Sequence, residues 1–178
     1  EDLLTVSSLG FRGEALSSIA AVAQVELITK PVGALMGVRY VIEGSKEKAK
    51  EEIGAPDGTT FLIRNIFYNT PARRKFLKTA QTEGSYISGL MEHMALSHPN
   101  VAFKFIANNQ TKLQTSGNGN ITEIIYHIYG RLITAALMEN HGGNEEITIH
   151  GFVGKPVVTR GNRNFENYFI NGRYIKSR

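Results

Sequence analysis

The hydrophobic periodicity of this chain changes from helical to strand spacing at residue 24, directly after a short apolar helix. In the segment 13–23, helical spacing relates four apolar residues that would share one face: Leu16, Ile19, Ala20 and Ala23. Residues 24–30 and 36–43 then read as strands, and the second alternates apolar with polar side chains. Together with the elements that follow, this change of period predicts an α+β fold.

Further helix and strand patterns continue along the chain. Strands are predicted at 59–66, 146–153 and 166–170, and a hairpin is predicted around the residues "NNQ" at 108–110. Helices are predicted at 83–96 and at 121–129, the second ending at Gly130. The apolar stripe of the first of these two helices is predicted to lie in the core, and it consists of Ile87, Leu90, Met91 and Met94.

Three connecting segments are also distinctive. The charged segment 44–58 is bounded by glycine and proline and is predicted to be a loop. Residues 68–77 read as the start of a helix that Asn69 or Thr70 could cap, with Pro71 at the first helical position. The glycine- and asparagine-rich segment 115–120 is the best linker candidate and is predicted to mark a domain boundary.

Basic residues are concentrated in two blocks of a chain whose formal net charge is +4. Residues 58–82 carry five basic and no acidic side chains, and residues 155–178 carry six basic side chains against Glu166 alone. The two blocks indicate either a surface that faces a polyanion or two solvated basic loops.

The chain has no cysteine, which excludes disulfides and thiolate metal sites and fits a cytosolic protein. No apolar run approaches the roughly 20 residues of a membrane span.

The turn at residues 10–13 leads directly into the first helix. Gly10 and Gly13 allow backbone conformations that are closed to other residues, and the first N–H groups of a helix lack intrahelical partners. These N–H groups and the positive end of the helix dipole suit a phosphate, and Arg12 could add a charged contact. The pattern matches neither a P-loop nor a dinucleotide-binding fingerprint, and two glycines before a helix are weak evidence for a phosphate site, because an ordinary turn and helix start have the same pattern.

Longer strings make the interpretation more specific. "GFRGEALSSIAAV" (10–22) resembles the ATP-lid motif of the MutL family of DNA mismatch repair proteins, and "FYNTPARRKFLK" (67–78) resembles a second hallmark of that family. "GTT" (58–60) and "YFINGRYI" (168–175) resemble a third and a fourth hallmark, in matching order and spacing. The resemblance covers essentially the whole chain and is closer to bacterial MutL and PMS-type proteins than to the MLH type.

This resemblance implies the ATPase superfamily that includes gyrase, Hsp90 and histidine kinases. Residues 1–115 would form part of a GHKL-type ATPase α/β sandwich, and residues 121–178 would form the first part of a ribosomal-protein-like transducer domain. In the family, ATP closes the lid and brings two N-terminal regions together, and the closed dimer clamps DNA and signals to other repair proteins. The expected partners are therefore DNA bound without sequence specificity, a mismatch-recognition protein, and a second copy or a related MutL-type subunit.

The resemblance also assigns roles to particular positions. Thr59 matches the polar residue at the far wall of the nucleotide pocket. The lid, whose backbone amides wrap the terminal phosphates of ATP, matches Gly10, Phe11, Arg12, Gly13, Glu14 and Ala15. DNA phosphates would be contacted from loops and a hairpin by Lys155, Arg160, Arg163, Arg173, Lys176 and Arg178. Salt bridges and capping are the preferred interpretation of the basic triplet Arg73, Arg74 and Lys75.

Several catalytic groups of the superfamily have no counterpart in this sequence. The Glu that activates water, the Asn that binds Mg²⁺ and the adenine loop precede the lid in the family, and a distal Lys would lie beyond Arg178. We therefore expect an internal piece that hydrolyses no ATP alone, from a parent protein that is a weak Mg²⁺-dependent ATPase. Glu14 is not expected to be the catalytic base, because it lies in the lid.

Two alternatives stay open at this point. One is another ATPase of the same superfamily, such as a topoisomerase or chaperone, although those relatives carry different lids. The other is a small nucleic-acid-binding α+β module that uses no nucleotide. The expected location of a MutL-type protein is the cytoplasm of a bacterium, in association with the nucleoid, or the nucleus of a eukaryote.

Overall fold

A computed structural model describes residues 13–176 and divides the chain into two compact units, one ending at Lys78 and the other beginning at Thr79. The first unit contains, in chain order, α1 (Ala15–Val22), β1 (Gln24–Lys30), β2 (Gly37–Glu43), β3 (Lys46–Ile53), β4 (Gly58–Arg64) and α2 (Pro71–Arg74). The second unit contains α3 (Ala80–Ser97), β5 (Lys104–Ala107), β6 (Gln110–Gln114), α4 (Ile121–Thr134), β7 (Leu137–Gly143), β8 (Thr148–Gly154), β9 (Tyr168–Ile170) and β10 (Arg173–Ile175).

The first unit is an antiparallel sheet in the order β3-β2-β1-β4, with α1 packed on it. A single residue, Ala23, separates α1 from β1, and it is fully buried. Ala20 and Ala23 form a small core with Val25, against which Ile19 and Ile42 pack. The predicted helix and the first two predicted strands are therefore confirmed, since small apolar residues let the helix lie close to the sheet.

The prediction of a loop at residues 44–58 is wrong, because residues 46–53 form β3 at the edge of the sheet. β3 pairs with β2 from Gly37↔Ile53 to Glu43↔Lys46. Most of its side chains are exposed, so this strand has no buried face that would require apolar residues to alternate with polar ones. Backbone hydrogen bonds to β2 define the strand, and its charged side chains protect the edge against pairing with another chain.

The segment after β4 forms a shorter helix than the predicted 68–77, because α2 covers four residues only. Pro71 occupies the first turn as predicted, but neither predicted cap forms a side-chain cap bond. The side chain of Asn69 instead donates to the carbonyl of Ala21 at 2.9 Å. The backbone N–H of Phe67 donates to the carbonyl of Val22 at 2.7 Å, so this segment is fixed to the end of α1.

The second unit has its own core between α3, α4 and the β5–β6 hairpin. The buried residues of this core are Ala95, Leu96, Leu113, Ile124 and Ile125. Asn108 and Asn109 both have positive φ, at 50° and 60°, which is the backbone of the two-residue turns that match the twist of a hairpin. The predicted hairpin is therefore confirmed.

The apolar stripe predicted on α3 is mostly not in this core. Met91 packs against it, but Ile87, Leu90 and Met94 are 48%, 59% and 40% exposed. The buried residues of α3 come one turn later, where the helix meets the hairpin and α4. Helical spacing identified an apolar face correctly, but it does not determine which part of that face is covered.

The remaining elements follow α4. Asn120 caps this helix by accepting from the backbone N–H of Glu123, and Gly130 interrupts it with φ 79° and ψ 173°, at the predicted end. The β7–β8 and β9–β10 pairs are two-stranded and antiparallel, and β7 was not predicted. The linker candidate 115–120 lies inside the second unit, and its first residue, Thr115, is buried. The functional division at 115–121 stays a prediction.

Candidate functional site

The start of α1 carries the described part of the predicted phosphate lid. Gly13 has φ 64°, a left-handed conformation that favours glycine, and a Cβ added there would meet no heavy atom within 4 Å. Glu14 occupies the N-cap position of α1 without a side-chain cap bond. Among residues 13–176, no side chain therefore caps the first N–H groups of α1, which form the positive end of the helix. The other predicted lid residues, Gly10, Phe11 and Arg12, lie outside the described residues.

Thr59 lies on the same face of the sheet as α1. In the antiparallel register Thr59 pairs with Thr29, and their hydroxyl oxygens are 2.9 Å apart. Because side chains alternate along a strand, Thr29 shares a face with Val25, which packs against α1. The sheet therefore brings the predicted wall residue and the helix that follows the lid to one side. Sequence analysis missed Thr29, whose role depends on strand register.

An apolar row lies between the threonine pair and the part of the sheet that α1 covers. Phe61, Leu27 and Tyr40 are cross-strand neighbours on this face, and Phe61 is 43% exposed. Leu16, near the start of α1, is 55% exposed, so α1 packs on the sheet through its C-terminal half. The face thus combines a helix N-terminus suited to an anion, an apolar surface, and two hydroxyl groups that can hydrogen-bond.

The opposite face of the sheet is charged and internally paired. Glu26 accepts from Arg39 Nε at 2.6 Å and from Arg64 Nη1 at 3.3 Å, and Arg39 Nη1 also donates to Glu51 at 2.5 Å. The hydrogen bond from Arg39, aided by that from Arg64, holds the pKa of Glu26 below its ordinary value. The charges on this face neutralise one another, which leaves the α1 face as the candidate ligand site of this unit.

Two surface depressions in the first unit lie away from that candidate site. One, of about 400 Å³, is lined by Gln24, Asn65, Ile66, Tyr68, Arg74 and Leu77. The other lies on the charged face, and neither is lined by Thr59 or by the start of α1.

In the described range, no ion pair involves Arg73, Arg74 or Lys75, and all three are exposed. The salt bridges expected for this triplet are therefore not found.

A metal site is not evident in residues 13–176. No group of three or more His, Asp and Glu side chains in that range could hold a metal ion. Over the same range, no helix is both long enough and apolar enough to cross a membrane.

The basic residues predicted to face DNA lie on the last loops and hairpin of the second unit. Lys155, Arg160, Arg163, Arg173 and Lys176 are all exposed, and Arg178 lies outside the described residues. The guanidinium carbon of Arg160 lies 5.5 Å from the centre of the Phe165 ring. The Arg163 Nε atom lies 4.0 Å from a carboxylate oxygen of Glu166.

Helix α4 anchors the loop that carries Arg160 and Arg163. The rings of Phe165 and Tyr129 are 5.6 Å apart, and the Asn167 side chain donates to the Tyr129 hydroxyl at 2.6 Å. Burial raises the pKa of Tyr129, against a smaller effect of its hydrogen bond with Asn167. Tyr129 and Asn167 are 38 positions apart, so no local pattern could have indicated this anchor.

The sequence of this chain is similar to DNA mismatch repair proteins over almost its whole length. A DNA mismatch repair protein MutL from Agathobacter rectalis is 71% identical over 177 residues, which is 99% of this chain and 27% of that protein. A family model described as the C-terminal domain of DNA mismatch repair protein matches residues 125–178. This chain belongs to the MutL family. Two further MutL proteins, from Thermoanaerobacter pseudethanolicus and Leuconostoc citreum, are 42% and 44% identical over 99% of the chain and have 29% and 26% of their length covered.

Solved structures agree on the fold. The MutL ATPase domain of Aquifex aeolicus complexed with ADP is 27% identical, with a TM-score of 0.78 over 99% of this chain and 65% of that chain. The N-terminal domain of a DNA repair protein is 21% identical with a TM-score of 0.79, over 97% of this chain and 57% of that chain, and it shows the fold alone. The predicted α+β class and the GHKL-type fold of a MutL ATPase domain are confirmed. The chain spans little more than a quarter of the full MutL sequences that it matches.

Proposed function

We propose that this chain forms part of an ATP-regulated DNA mismatch repair clamp, in which it holds the phosphates of ATP and contacts the DNA backbone. The observation that carries the proposal is 71% identity to a MutL protein across 99% of the chain. It is supported by likeness to a MutL ATPase domain that is complexed with ADP. Membership of the MutL family removes the earlier alternative of a topoisomerase or chaperone.

The proposed nucleotide site lies on the α1 face of the sheet. The lid from Gly10 to Ala15 would donate backbone N–H groups to the terminal phosphates, and the uncapped start of α1 supports this role. Thr59 would donate or accept a hydrogen bond at the far wall, oriented by Thr29. The resemblance to the family implies that Mg²⁺ would be held by an Asn of a segment that precedes the lid.

The nucleotide part is tested with neighbouring threonines on opposite faces of β4. Thr59→Val removes the hydroxyl on the α1 face, and Thr60→Val, the matched control, removes one on the charged face beside Ile28. We expect Thr59→Val to lower the affinity of the full-length protein for a fluorescent ATP analogue about three- to tenfold, as for one lost hydrogen bond. Equal affinities in the two variants would contradict the assignment. DNA binding without ATP binding would favour the nucleotide-free nucleic-acid module.

The proposed DNA contacts are made by exposed basic side chains on loops and a hairpin. Such side chains bind phosphates without reading sequence, as a clamp requires. The segment that carries them has six basic residues against one acidic residue. The proposed set is Lys155, Arg160, Arg163, Arg173, Lys176 and Arg178.

A salt titration of DNA affinity tests this part. Each phosphate contact contributes about 0.9 to the slope of log affinity against log salt, so Arg173→Ala should flatten the slope by roughly one. Lys104→Ala is the matched control, because Lys104 is an exposed basic residue on β5, away from the β9–β10 hairpin in sequence. An unchanged slope for Arg173→Ala rules out a phosphate contact of this residue.

Dimerisation and domain boundaries complete the proposal. We infer that ATP brings two such regions together, that the dimer couples mismatch recognition to later repair steps in the cytoplasm, and that the transducer begins near residue 121. The start of the family-model match at residue 125 supports this boundary. Light scattering of the full-length protein should show a larger dimer fraction with a non-hydrolysable ATP analogue than without nucleotide. The same dimer fraction under both conditions would contradict this part.

A further inference from the structure

Helix α3 fixes the orientation of the β9–β10 hairpin through an aromatic stack. The imidazole of His93 lies over the ring of Tyr174, with ring centres 3.8 Å apart and an angle of 11° between the ring planes. Tyr174 also contacts Phe169, its cross-strand partner, at 5.7 Å between ring centres. Phe169 packs against the core of the second unit, so the stack continues from the hairpin to that core.

A second histidine of α3 supports the turn of the same hairpin. Asn171 and Gly172 both have positive φ, at 49° and 76°, as in a tight two-residue hairpin turn. A Cβ added to Gly172 would lie 3.6 Å from Nε2 of His98, so this ring lies directly against the turn. The Ser97 hydroxyl is 2.7 Å from Nδ1 of His98 and fixes the ring from its other side.

The position of Arg173 follows from this arrangement. Arg173 precedes Tyr174 in β10, and successive side chains of a strand point to opposite faces. When Tyr174 is held against α3, Arg173 must therefore point away from α3, where it is exposed. An isolated two-stranded hairpin is marginally stable, so the orientation of this one depends on its contacts with the rest of the unit, of which the stack on His93 lies nearest to Arg173 in sequence.

We propose that His93 is a positioning residue for DNA binding, which acts by stacking on Tyr174 and so presenting Arg173 to a DNA phosphate. This inference rests on the proposed function, because it requires Arg173 to contact DNA. His93 itself makes no contact with the DNA and acts only through the hairpin. Helix α3 thereby becomes the element that sets the direction of the basic hairpin.

Two variants distinguish the effect of the aromatic ring of His93 from the effects of its volume and of its titratable nitrogen. His93→Leu keeps apolar volume but removes the ring, whereas His93→Phe keeps an aromatic ring without a titratable nitrogen. The affinity of the full-length protein is measured for a random-sequence DNA duplex. We expect His93→Leu to lower this affinity about three- to tenfold, which corresponds to the free energy of one aromatic pair. We expect His93→Phe to retain wild-type affinity, and Tyr174→Leu to reproduce the loss from the hairpin side.

A double-mutant cycle shows whether His93 acts through Arg173. In an Arg173→Ala background, His93→Leu should cause no further loss of affinity, whereas a general structural defect would add its full effect. Additive losses, an equal loss in His93→Phe, or wild-type affinity in His93→Leu would each overturn the proposal. Failure of the proposed DNA contact is distinguishable, because Arg173→Ala alone would then leave the salt slope unchanged. All affinities are measured below the melting temperature of the variants.

Discussion

Replacing Gly13 by alanine would test whether the left-handed backbone at the lid is required for nucleotide binding. Gly13 has φ 64° and open space around the position of a Cβ, so the substitution causes no clash and acts on backbone conformation alone. A left-handed conformation costs an L-residue about 1–2 kcal/mol relative to glycine. If the lid relaxes to avoid this cost, its N–H groups turn away, and ATP affinity should fall about 5- to 30-fold. If the conformation is kept, the cost should instead appear as a lower melting temperature, about 2–4 °C per kcal/mol for a domain of 150–250 residues.

The matched control for this experiment is Gly33→Ala. Gly33 also has a positive φ, 83°, with nothing within 4 Å of an added Cβ, but it lies in the loop between β1 and β2. Binding of a fluorescent ATP analogue and thermal melting are measured for both variants in the full-length protein. We expect Gly33→Ala to lose stability without losing ATP affinity. Wild-type affinity and wild-type melting in Gly13→Ala would refute the reasoning, and so would an equal loss of affinity in Gly33→Ala.

Two further predictions concern stability. Gly117→Ala would place a Cβ 2.6 Å from the backbone nitrogen of Ala102 at φ 69°, and should destabilise the protein by about 2–4 kcal/mol in denaturant titration; Gly151→Ala, where a Cβ meets nothing within 4 Å, is the control, and equal midpoints would contradict the clash. Glu26→Gln removes a carboxylate whose pKa is lowered by Arg39, so its stabilisation is present above its ordinary value of 4.5 and is lost as pH falls through the lowered folded-state pKa. The wild type should therefore melt higher than Glu26→Gln at pH 7, and the gap should narrow as the pH falls below 4.5; a gap independent of pH would refute the assignment.

Local sequence pattern predicted most elements of this fold, because the apolar periodicity of each element and the turn residues at its ends indicate the same structure. The segment from α1 to β2 and the β5–β6 hairpin are of this kind, with asparagines where the turn needs positive φ. β3 was predicted as a loop because its side chains are charged, and an exposed edge strand needs no apolar alternation. The pairing of its backbone with β2, which is a tertiary property, is what makes it a strand.

The candidate sites divide in the same way. Local pattern indicated Gly13 at the start of α1, because glycine before a helix is a local feature, whereas the resemblance to the MutL family assigned Thr59 on β4. It did not indicate Thr29, because the hydroxyl contact with Thr59 depends on the register of β1 against β4. It also ascribed to Arg73 and its neighbours salt bridges that the described residues do not form.

The sequence by itself determined the family of this chain, the period of most of its helices and strands, and the places where glycine and asparagine turn the backbone. These properties depend on residues within one or two turns of each other, so they can be seen in a linear string. Tertiary structure alone decided that Thr29 lies beside Thr59 and that His93 lies on Tyr174. Such contacts join residues 30 or more positions apart, and they arise from strand register and helix packing, which no local pattern specifies.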